Sequence, residues 1–377
     1  MRESRWQQFD FVIVGCVLGL ILAGVAMIHS ATCGSACAGL LPPRSYAVRQ
    51  GVSAAVGFAL LAAISLVDYR FYRVYAFHLY GFAIALLVLV LLIGQGGADA
   101  DYGSKRWIYL GVFDLQASEV AKLAVLVALA RVLGDKPEGP LTLRRLMASL
   151  GIVLPPVALV FTEPDLGTSL SFLMIWATMV LVAGIRWRHA LMLLAGAVLA
   201  SPLVWLTMKD YMRERLVTFV GTLVDLEHAA FDEGYNVLQA RISIGSGGLF
   251  GRGYLEGTQS QLGFLRITQS DFIFSAAAEE LGFIGASVLF CLFVMLLFRV
   301  TRAADMSRDE FGRLLTFGVA AMILFAAVAN LGANLTLLPV TGIPLPFISY
   351  GRTSLLTNLA ALGIVQSVLL YRLKYRY

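Results

Sequence analysis

The chain has 377 residues, of which 59% are hydrophobic and 14% are charged, and its mean hydropathy is +0.79. This composition excludes an ordinary soluble domain and is typical of a protein embedded in a membrane. The net charge of +5 arises mostly from Lys and Arg in connections on one side of the predicted membrane, so it does not indicate a nucleic-acid surface.

Ten apolar runs of about 20 residues predict an all-α polytopic integral membrane protein. We place them in a single domain, 1–377, at 11–31, 47–67, 76–94, 115–134, 146–162, 167–185, 189–208, 272–298, 314–338 and 353–371. Seventeen Lys and Arg lie in connections on one side, against five in short connections on the other. The positive-inside rule therefore predicts that both termini are cytoplasmic.

The first run allows two interpretations. Arg2 and Arg5 precede it and small residues follow it, as in a cleaved secretory signal. Its apolar stretch is longer than that of a usual signal and nine further spans follow, which favours an uncleaved first helix. In the outward connection after it, Cys33 and Cys37 are predicted either to form a disulfide or to remain free thiols.

Charged residues cluster around the start of the fourth run. Lys105, Arg106 and Trp107 precede it on the outer side, where they could anchor the chain at lipid headgroups or grip an anionic substrate. Within the run, Glu119 and Lys122 are three residues apart and share one helix face. They either neutralise each other as a local pair or line a cavity, because charges that face lipid are costly.

Two other outward connections carry distinctive residues. Between the fifth and sixth runs, Asp165 follows Glu163 and Pro164 in a tight turn, where it could cap the next helix or belong to a site. Three prolines within residues 338–351 forbid regular helix there. Irregular backbone at membrane depth is tolerated only when buried in protein or lining a cavity, so this segment is predicted to be a rigid re-entrant loop.

The outward connection at residues 209–271, between the seventh and eighth runs, is far longer than an ordinary loop. It begins with a charged stretch, 209–215, that is suited to a helix at the headgroup level. Its Gly-rich run, 244–253, has no Walker pattern, and we interpret it as a flexible surface loop rather than a nucleotide site.

Asp271 ends this connection at the mouth of the eighth run, and Glu279 and Glu280 follow deeper in the same run. Ionisable groups inside a bilayer each cost roughly 2.5–3.5 kcal/mol on insertion scales, so three of them indicate partners, water or a chemical role. With Glu119 and Lys122, they predict a cavity that opens to the outer side and to the bilayer. An amphipathic, anionic molecule would be its natural substrate.

Four motifs in this order resemble the SEDS family (shape, elongation, division and sporulation). They are EPDLGTS at 163–169, IGSGG at 244–248, DFIFSAAAEELG at 271–282 and PVTGIPLPFISYG at 339–351. The resemblance covers essentially the whole chain and its ten spans. The last motif and GTQSQL at 257–262 are more similar to the elongation members of the family than to the division members.

This resemblance implies a peptidoglycan glycosyltransferase that polymerises lipid II at the outer face of the bacterial cytoplasmic membrane. It implies that Asp271 is the catalytic base on the acceptor sugar's 4-hydroxyl, and that a class B penicillin-binding protein is the partner, among other elongation proteins. Lys105, Arg106 and Lys122 would stabilise the pyrophosphate, with Trp107, Glu119, Asp165 and Glu279 in the substrate site. The sequence requires no cofactor, although a divalent cation, Mg²⁺ or Mn²⁺, could assist.

The chain departs from the family pattern in two places. Before Asp271 the family usually has Pro-Glu and then His-Thr, whereas residues 264–270 here read FLRITQS. We therefore expect Asp271 to act without a second acid or base from that loop. After Tyr350 the family's Gly-Gly-Ser-Ser is replaced by Gly-Arg-Thr-Ser, which adds the cation Arg352 near pyrophosphate or a lipid headgroup.

Two other functions are compatible with the sequence. A flippase or transporter of lipid-linked cell-wall precursors would also have many spans and intramembrane charges, although no inverted repeat is evident. A scaffold that only positions the penicillin-binding protein is the second alternative. An assay for glycan polymer and lipid translocation would separate the three functions.

Overall fold

The computed structural model describes residues 5–33, 45–94, 106–109, 114–135, 139–224, 234–265 and 267–372. Cys37 of the predicted disulfide lies outside them. A short 3₁₀ helix, Arg5–Gln8, precedes the α-helices. These are α1 (Phe11–Cys33), α2 (Tyr46–Leu66), α3 (Arg70–Ile93), α4 (Ala117–Gly134), α5 (Leu143–Thr162), α6 (Leu166–Val182), α7 (Trp187–Thr207), α8 (Asp210–Val224), α9 (Tyr235–Ser246), α10 (Thr258–Gln261), α11 (Ile273–Asp305), α12 (Glu310–Asn334) and α13 (Arg352–Leu370).

Each of the ten predicted apolar runs coincides with a helix, from α1 to α7 and from α11 to α13. Within the described residues, eight helices are long and apolar enough to cross a membrane. Of the other two, α6 is a shorter apolar helix and α4 carries Glu119, Lys122 and Arg131. The chain is therefore a multi-pass membrane protein with a helical fold.

Small residues allow the helices to pack closely. Nearly all of α13 is buried, whereas no described residue of α7 is. A methyl group added at Gly57 of α2 would clash with Leu359 of α13, and one added at Gly363 would lie 2.8 Å from the Leu61 carbonyl oxygen. These glycines therefore bring α2 and α13 into direct contact, as small residues do in membrane helix pairs.

A short hairpin interrupts the helical fold, so the all-α prediction was incomplete. Strand β1 (Trp107–Tyr109) pairs antiparallel with β2 (Asp114–Gln116). Arg352 forms an ion pair with Asp114, and the Thr353 hydroxyl donates to the Asp114 carbonyl at 2.7 Å. The start of α13 thus anchors the hairpin. Strands of three residues leave no apolar run in the sequence, which is why they were not predicted.

The long connection at 209–271 contains α8, α9 and α10, and its Gly-rich run is attached to α11. The Phe283 N–H donates to the Gly248 carbonyl at 2.9 Å, and the Gly253 N–H donates to the Glu280 carbonyl at 3.1 Å. A side chain at Gly247 would clash with the Ala278 carbonyl oxygen. Although several of its residues are exposed, the backbone of the run packs closely against α11. It is therefore not the flexible surface loop that we predicted.

The Pro-rich segment at 338–351 has no regular helix, in agreement with the sequence prediction. Leu345, Phe347 and Ile348 within it are buried. The side chain of Gln50 in α2 donates to the Ser349 carbonyl at 3.1 Å. The irregular backbone is thus enclosed by protein, which is the condition for its stability at membrane depth.

Candidate active site

A cavity of about 260 Å³ lies where the hairpin, α4, α8, the turn before α6, the turn before α11 and the Pro-rich segment meet. Six residues predicted from the sequence line it, namely Arg106, Trp107, Glu119, Lys122, Asp165 and Asp271. Distant parts of the chain thus bring acids and cations to one space, which is typical of a catalytic or binding site.

Asp271 lies in the turn before α11, with a partly buried side chain. Its peptide carbonyl accepts hydrogen bonds from the side-chain amides of Asn334, at 2.9 Å, and Asn330, at 3.1 Å, on α12. The side-chain oxygen of Asn334 also accepts from the N–H of Ser275, at 3.2 Å, and from its hydroxyl, at 2.6 Å. This network fixes the backbone that carries Asp271.

The Pro-rich segment holds the two residues that precede Asp271. The Tyr350 N–H donates to the Gln269 carbonyl at 2.9 Å, and the Ser349 hydroxyl donates to the Ser270 carbonyl. Three consecutive carbonyls, at residues 269 to 271, are therefore bonded to α12 or to the Pro-rich segment. Such support from surrounding groups is what holds a catalytic side chain in a defined geometry.

Glu119 and Lys122 form a buried ion pair. The distance from Lys122 Nζ to Glu119 Oε1 is 2.8 Å, and the two side chains are only 8% and 4% exposed. Both interpretations from the sequence hold, because the residues pair with each other and also line the cavity. The other carboxylate oxygen, Glu119 Oε2, has no hydrogen-bond partner within the described residues. It is an acceptor that a bound molecule or ion could use.

Arg106 joins the hairpin to the turn before α6. Its Nε donates to the Glu163 carbonyl at 3.1 Å, and its Nη2 donates to the Pro164 carbonyl at 2.7 Å. Arg106 and its neighbour Trp107 both line the cavity. Arg106 therefore shapes the wall of the site as well as adding positive charge. Lys105 lies outside the described residues.

Asp165 caps α6 and also lines the cavity. Its carboxylate accepts from the N–H and the hydroxyl of Thr168, both at 2.9 Å, which confirms the capping prediction.

Glu163 in the same turn is only 2% exposed. Burial and the nearby Asp165 charge raise the pKa of Glu163 to about 8, although Arg106 acts in the opposite direction. Glu163 is thus mostly protonated at neutral pH.

Changing Glu163 to Gln should stabilise the protein increasingly as the pH rises. The carboxyl has a pKa of about 8 when folded and 4.5 ordinarily, so the folded state binds its proton more tightly. Its contribution to the free energy of unfolding therefore falls between those two pH values. In thermal unfolding in detergent, the variant should match the wild type near pH 4.5 and exceed it at pH 8. Equal stability of the two proteins at pH 8 would contradict this expectation.

Glu279 does not line the cavity, contrary to the sequence prediction. It is fully buried in α11, and its Oε1 accepts from the Thr258 hydroxyl at 3.1 Å and from the Gln259 N–H at 2.9 Å. Glu280 beside it accepts from the Ser30 hydroxyl. Glu279 therefore joins α10 to α11, and Glu280 joins α1 to α11. Among the described residues, no group of three or more His, Cys, Asp and Glu is placed to hold a metal ion.

Two residues of α8, Arg215 and Tyr211, were not predicted from the sequence to belong to the site. Both line the cavity, with the Arg215 guanidinium 4.3 Å from the centre of the Tyr211 ring. Arg215 Nη1 also donates to the Val340 carbonyl at 3.3 Å. The charged stretch 209–215 was the available signal, but it equally fits a helix at lipid headgroups.

The sequence profile of the family described as "Cell cycle protein", which groups FtsW, RodA and SpoVE, matches residues 10–374. The chain belongs to the SEDS family. The resemblance drawn from the four motifs is thus confirmed over nearly the whole sequence.

Relatives in this family are named as enzymes. The chain is 35% identical over 322 residues to peptidoglycan glycosyltransferase MrdB of Escherichia coli K12, with 84% of each protein covered. It is 33% identical over 371 residues to the probable peptidoglycan glycosyltransferase FtsW of Geobacter sulfurreducens, with 98% of this chain and 97% of the relative covered. The chain is a glycosyltransferase of the SEDS family.

Solved structures share the fold. A chain from a structure on the coordination of polymerization and crosslinking by a peptidoglycan synthase complex matches with a TM-score of 0.80 and 31% identity, covering 98% of this chain and 99% of that one. The rod shape determining protein RodA of Thermus thermophilus matches with a TM-score of 0.70 and 30% identity, covering 98% of this chain and 100% of that one. These similarities establish the helical architecture.

Proposed function

We propose that the chain polymerises lipid II into glycan strands at the outer face of the bacterial cytoplasmic membrane, for cell elongation and rod shape. One observation carries the proposal: the carboxylate residue Asp271 and the buried cation Lys122 line the same cavity. A polymerase needs a base for the attacking hydroxyl and positive charge for the departing pyrophosphate. The site offers both.

In this mechanism, Asp271 takes the proton from the 4-hydroxyl of the acceptor sugar. The hydroxyl oxygen forms a bond to the anomeric carbon of the donor, and the bond from that carbon to the pyrophosphate oxygen breaks. Undecaprenyl pyrophosphate leaves with the electron pair, and Lys122 and Arg106 stabilise its charge. Trp107 and Asp165 help to form the substrate site. One displacement inverts the anomeric centre.

A divalent cation, Mg²⁺ or Mn²⁺, would add further positive charge near the leaving group. Such ions are usually held by one or two carboxylates together with substrate phosphates. Glu119 fits that role, since its Oε2 has no hydrogen-bond partner within the described part of the chain. The ion would neutralise pyrophosphate charge as it develops.

In the proposed topology all ten apolar helices cross the membrane, both termini are cytoplasmic, and residues 209–271 lie outside between the seventh and eighth spans. The excess of Lys and Arg on one side supports this orientation.

We expect a class B penicillin-binding protein as partner, because a similar chain occurs in a peptidoglycan synthase complex. The elongation role rests on the motifs at 257–262 and 339–351. Restoration of rod shape in cells that lack their elongation polymerase would test it.

Replacing Asn334 with Ala should lower kcat about tenfold or more while KM changes little, because about 1.4 kcal/mol of lost positioning corresponds to a factor of ten in rate. The amide of Asn334 holds the Asp271 carbonyl and does not line the cavity. Asn358→Ala is the control, since that buried amide bonds the Ser354 carbonyl of its own helix. The positioning role would be refuted if both variants lost kcat equally at equal stability.

The function is tested with purified chain in liposomes, with and without a class B penicillin-binding protein whose transpeptidase is inactivated. Labelled lipid II is supplied, and glycan polymer and translocated lipid are measured separately. We expect polymer. Translocation without polymer would favour the transporter. If this chain made neither product and the partner made polymer by itself, the scaffold would be favoured.

A further inference from the structure

A second cavity of about 160 Å³ adjoins the first at Asp271. Four residues line both cavities, namely Arg215, Ile267, Asp271 and Val340. Arg215 and Val340 also bond to each other, through the Arg215 Nη1 donor and the Val340 carbonyl at 3.3 Å. This contact lies along the boundary between the two spaces. Asp271 is therefore accessible from two sides.

The linings of the two cavities differ in charge. The first contains Lys122, Arg106, Glu119 and Asp165. Beyond the shared Arg215 and Asp271, the part of the second lining that the structure describes contains neutral polar groups and apolar or aromatic side chains. These include Thr218, Thr222, Asn236, Phe219 and Phe272. Aromatic faces with a few placed hydroxyl and amide groups suit an uncharged, hydroxyl-rich molecule such as a sugar.

Two threonines of the second cavity differ in how their hydroxyls are used. The Thr222 hydroxyl donates to the Phe219 carbonyl of its own helix at 2.7 Å. Among the described residues, the Thr218 hydroxyl has no hydrogen-bond partner, and the side chain is only partly buried. Thr218 therefore offers a donor and an acceptor to whatever occupies the cavity.

We propose that this second cavity binds the acceptor sugar, so that Asp271 stands between the acceptor on one side and the donor's pyrophosphate in the charged cavity on the other. The inference rests on the proposed polymerisation. A base that must reach the acceptor hydroxyl while cations hold the donor's leaving group needs two adjoining spaces with different linings. The second cavity meets the first need, and the cavity of Lys122 meets the second.

The experiment uses two lipid II analogues that react only with each other. In the donor, the 4-hydroxyl of the terminal sugar is removed, so it cannot accept. In the acceptor, a methylene group replaces the anomeric oxygen, so its pyrophosphate cannot leave. The full-length protein, with its transpeptidase partner, then makes one coupled product, and KM is measured for each analogue separately.

Thr218→Val should raise KM for the acceptor about threefold to tenfold, the loss of one hydrogen bond, and leave KM for the donor unchanged. Thr207→Val, which lies outside both cavities and whose hydroxyl is bonded to the Leu203 and Val204 carbonyls of α7, should change neither KM value by more than about twofold. Thr218→Ser, which keeps the hydroxyl, should have the acceptor KM of the wild type. That result would show that the effect of Thr218→Val does not come from a folding defect.

Two results would overturn the assignment. A rise in the donor KM alone would make the second cavity a donor site, and unchanged KM for both analogues with Thr218→Val would remove it from substrate binding. Failure of the wild type to polymerise natural lipid II would instead refute the proposed function.

Discussion

Polymerisation of lipid II should fall by about 10²–10⁴-fold when Asp271 is changed to Asn, the range usually lost with a general base. Asn has nearly the same shape but cannot take the proton from the acceptor hydroxyl. The loop before Asp271 lacks the His and Glu usual in the family, so no acid or base from that loop replaces it. The rate of glycan chain formation with purified protein measures the effect.

The Asp271→Asn variant should remain folded, because the hydrogen bonds from α12 go to the peptide carbonyl of residue 271, which Asn retains. Thermal unfolding in detergent provides that control, and Asp271→Glu gives a second comparison with a carboxylate at a shifted position. Wild-type polymerisation by the Asn variant, with normal stability, would show that Asp271 is not the base.

A second large effect is expected at the buried pair. Lys122→Met should remove most polymerisation and also lower the free energy of unfolding by about 3–5 kcal/mol, because it leaves the Glu119 carboxylate buried without its cation. Stability and activity would then fall together, and activity alone would not establish a role in catalysis.

The double variant Glu119→Gln with Lys122→Met separates the two effects. Replacing both charges by neutral groups is often nearly neutral for stability, so thermal unfolding should return close to the wild type. Polymerisation should stay low, because the cavity has lost the buried ammonium group of Lys122, which with Arg106 stabilises the pyrophosphate in the proposed mechanism. Recovery of full activity in the double variant would assign the pair a structural role only.

The helices could be predicted because a bilayer demands long apolar runs, but their ends could not. The third run was placed at 76–94, whereas α3 begins at Arg70. The eighth was placed at 272–298, whereas α11 continues to Asp305. Charged and polar residues end the apolar run while backbone hydrogen bonding continues the helix into the interface.

The site could be predicted in part because charges within apolar runs are conspicuous. Glu119, Lys122 and Asp271 were identified on that ground and line one cavity. Asn330 and Asn334 were missed because neutral amides cost less in an apolar run. Their spacing of four residues, which places both on one face of α12, was the available signal.

Glu279 shows the opposite error. Its place deeper in the run that follows Asp271 suggested a shared site, but position along the chain does not reveal which neighbouring segment each side chain meets. The carboxylate binds Thr258 and Gln259, in a connection whose fold depends on contacts between distant residues. The acid was therefore identified from the sequence but placed in the wrong part of the structure.

The most direct test is a structure of the Asp271→Asn variant with lipid II bound. We expect a sugar 4-hydroxyl within about 2.6–3.2 Å of the side chain at position 271, the reach needed for proton transfer. We also expect a pyrophosphate beside Lys122 in the charged cavity. Lipid II bound with its sugars and pyrophosphate away from both residues would contradict the proposed mechanism.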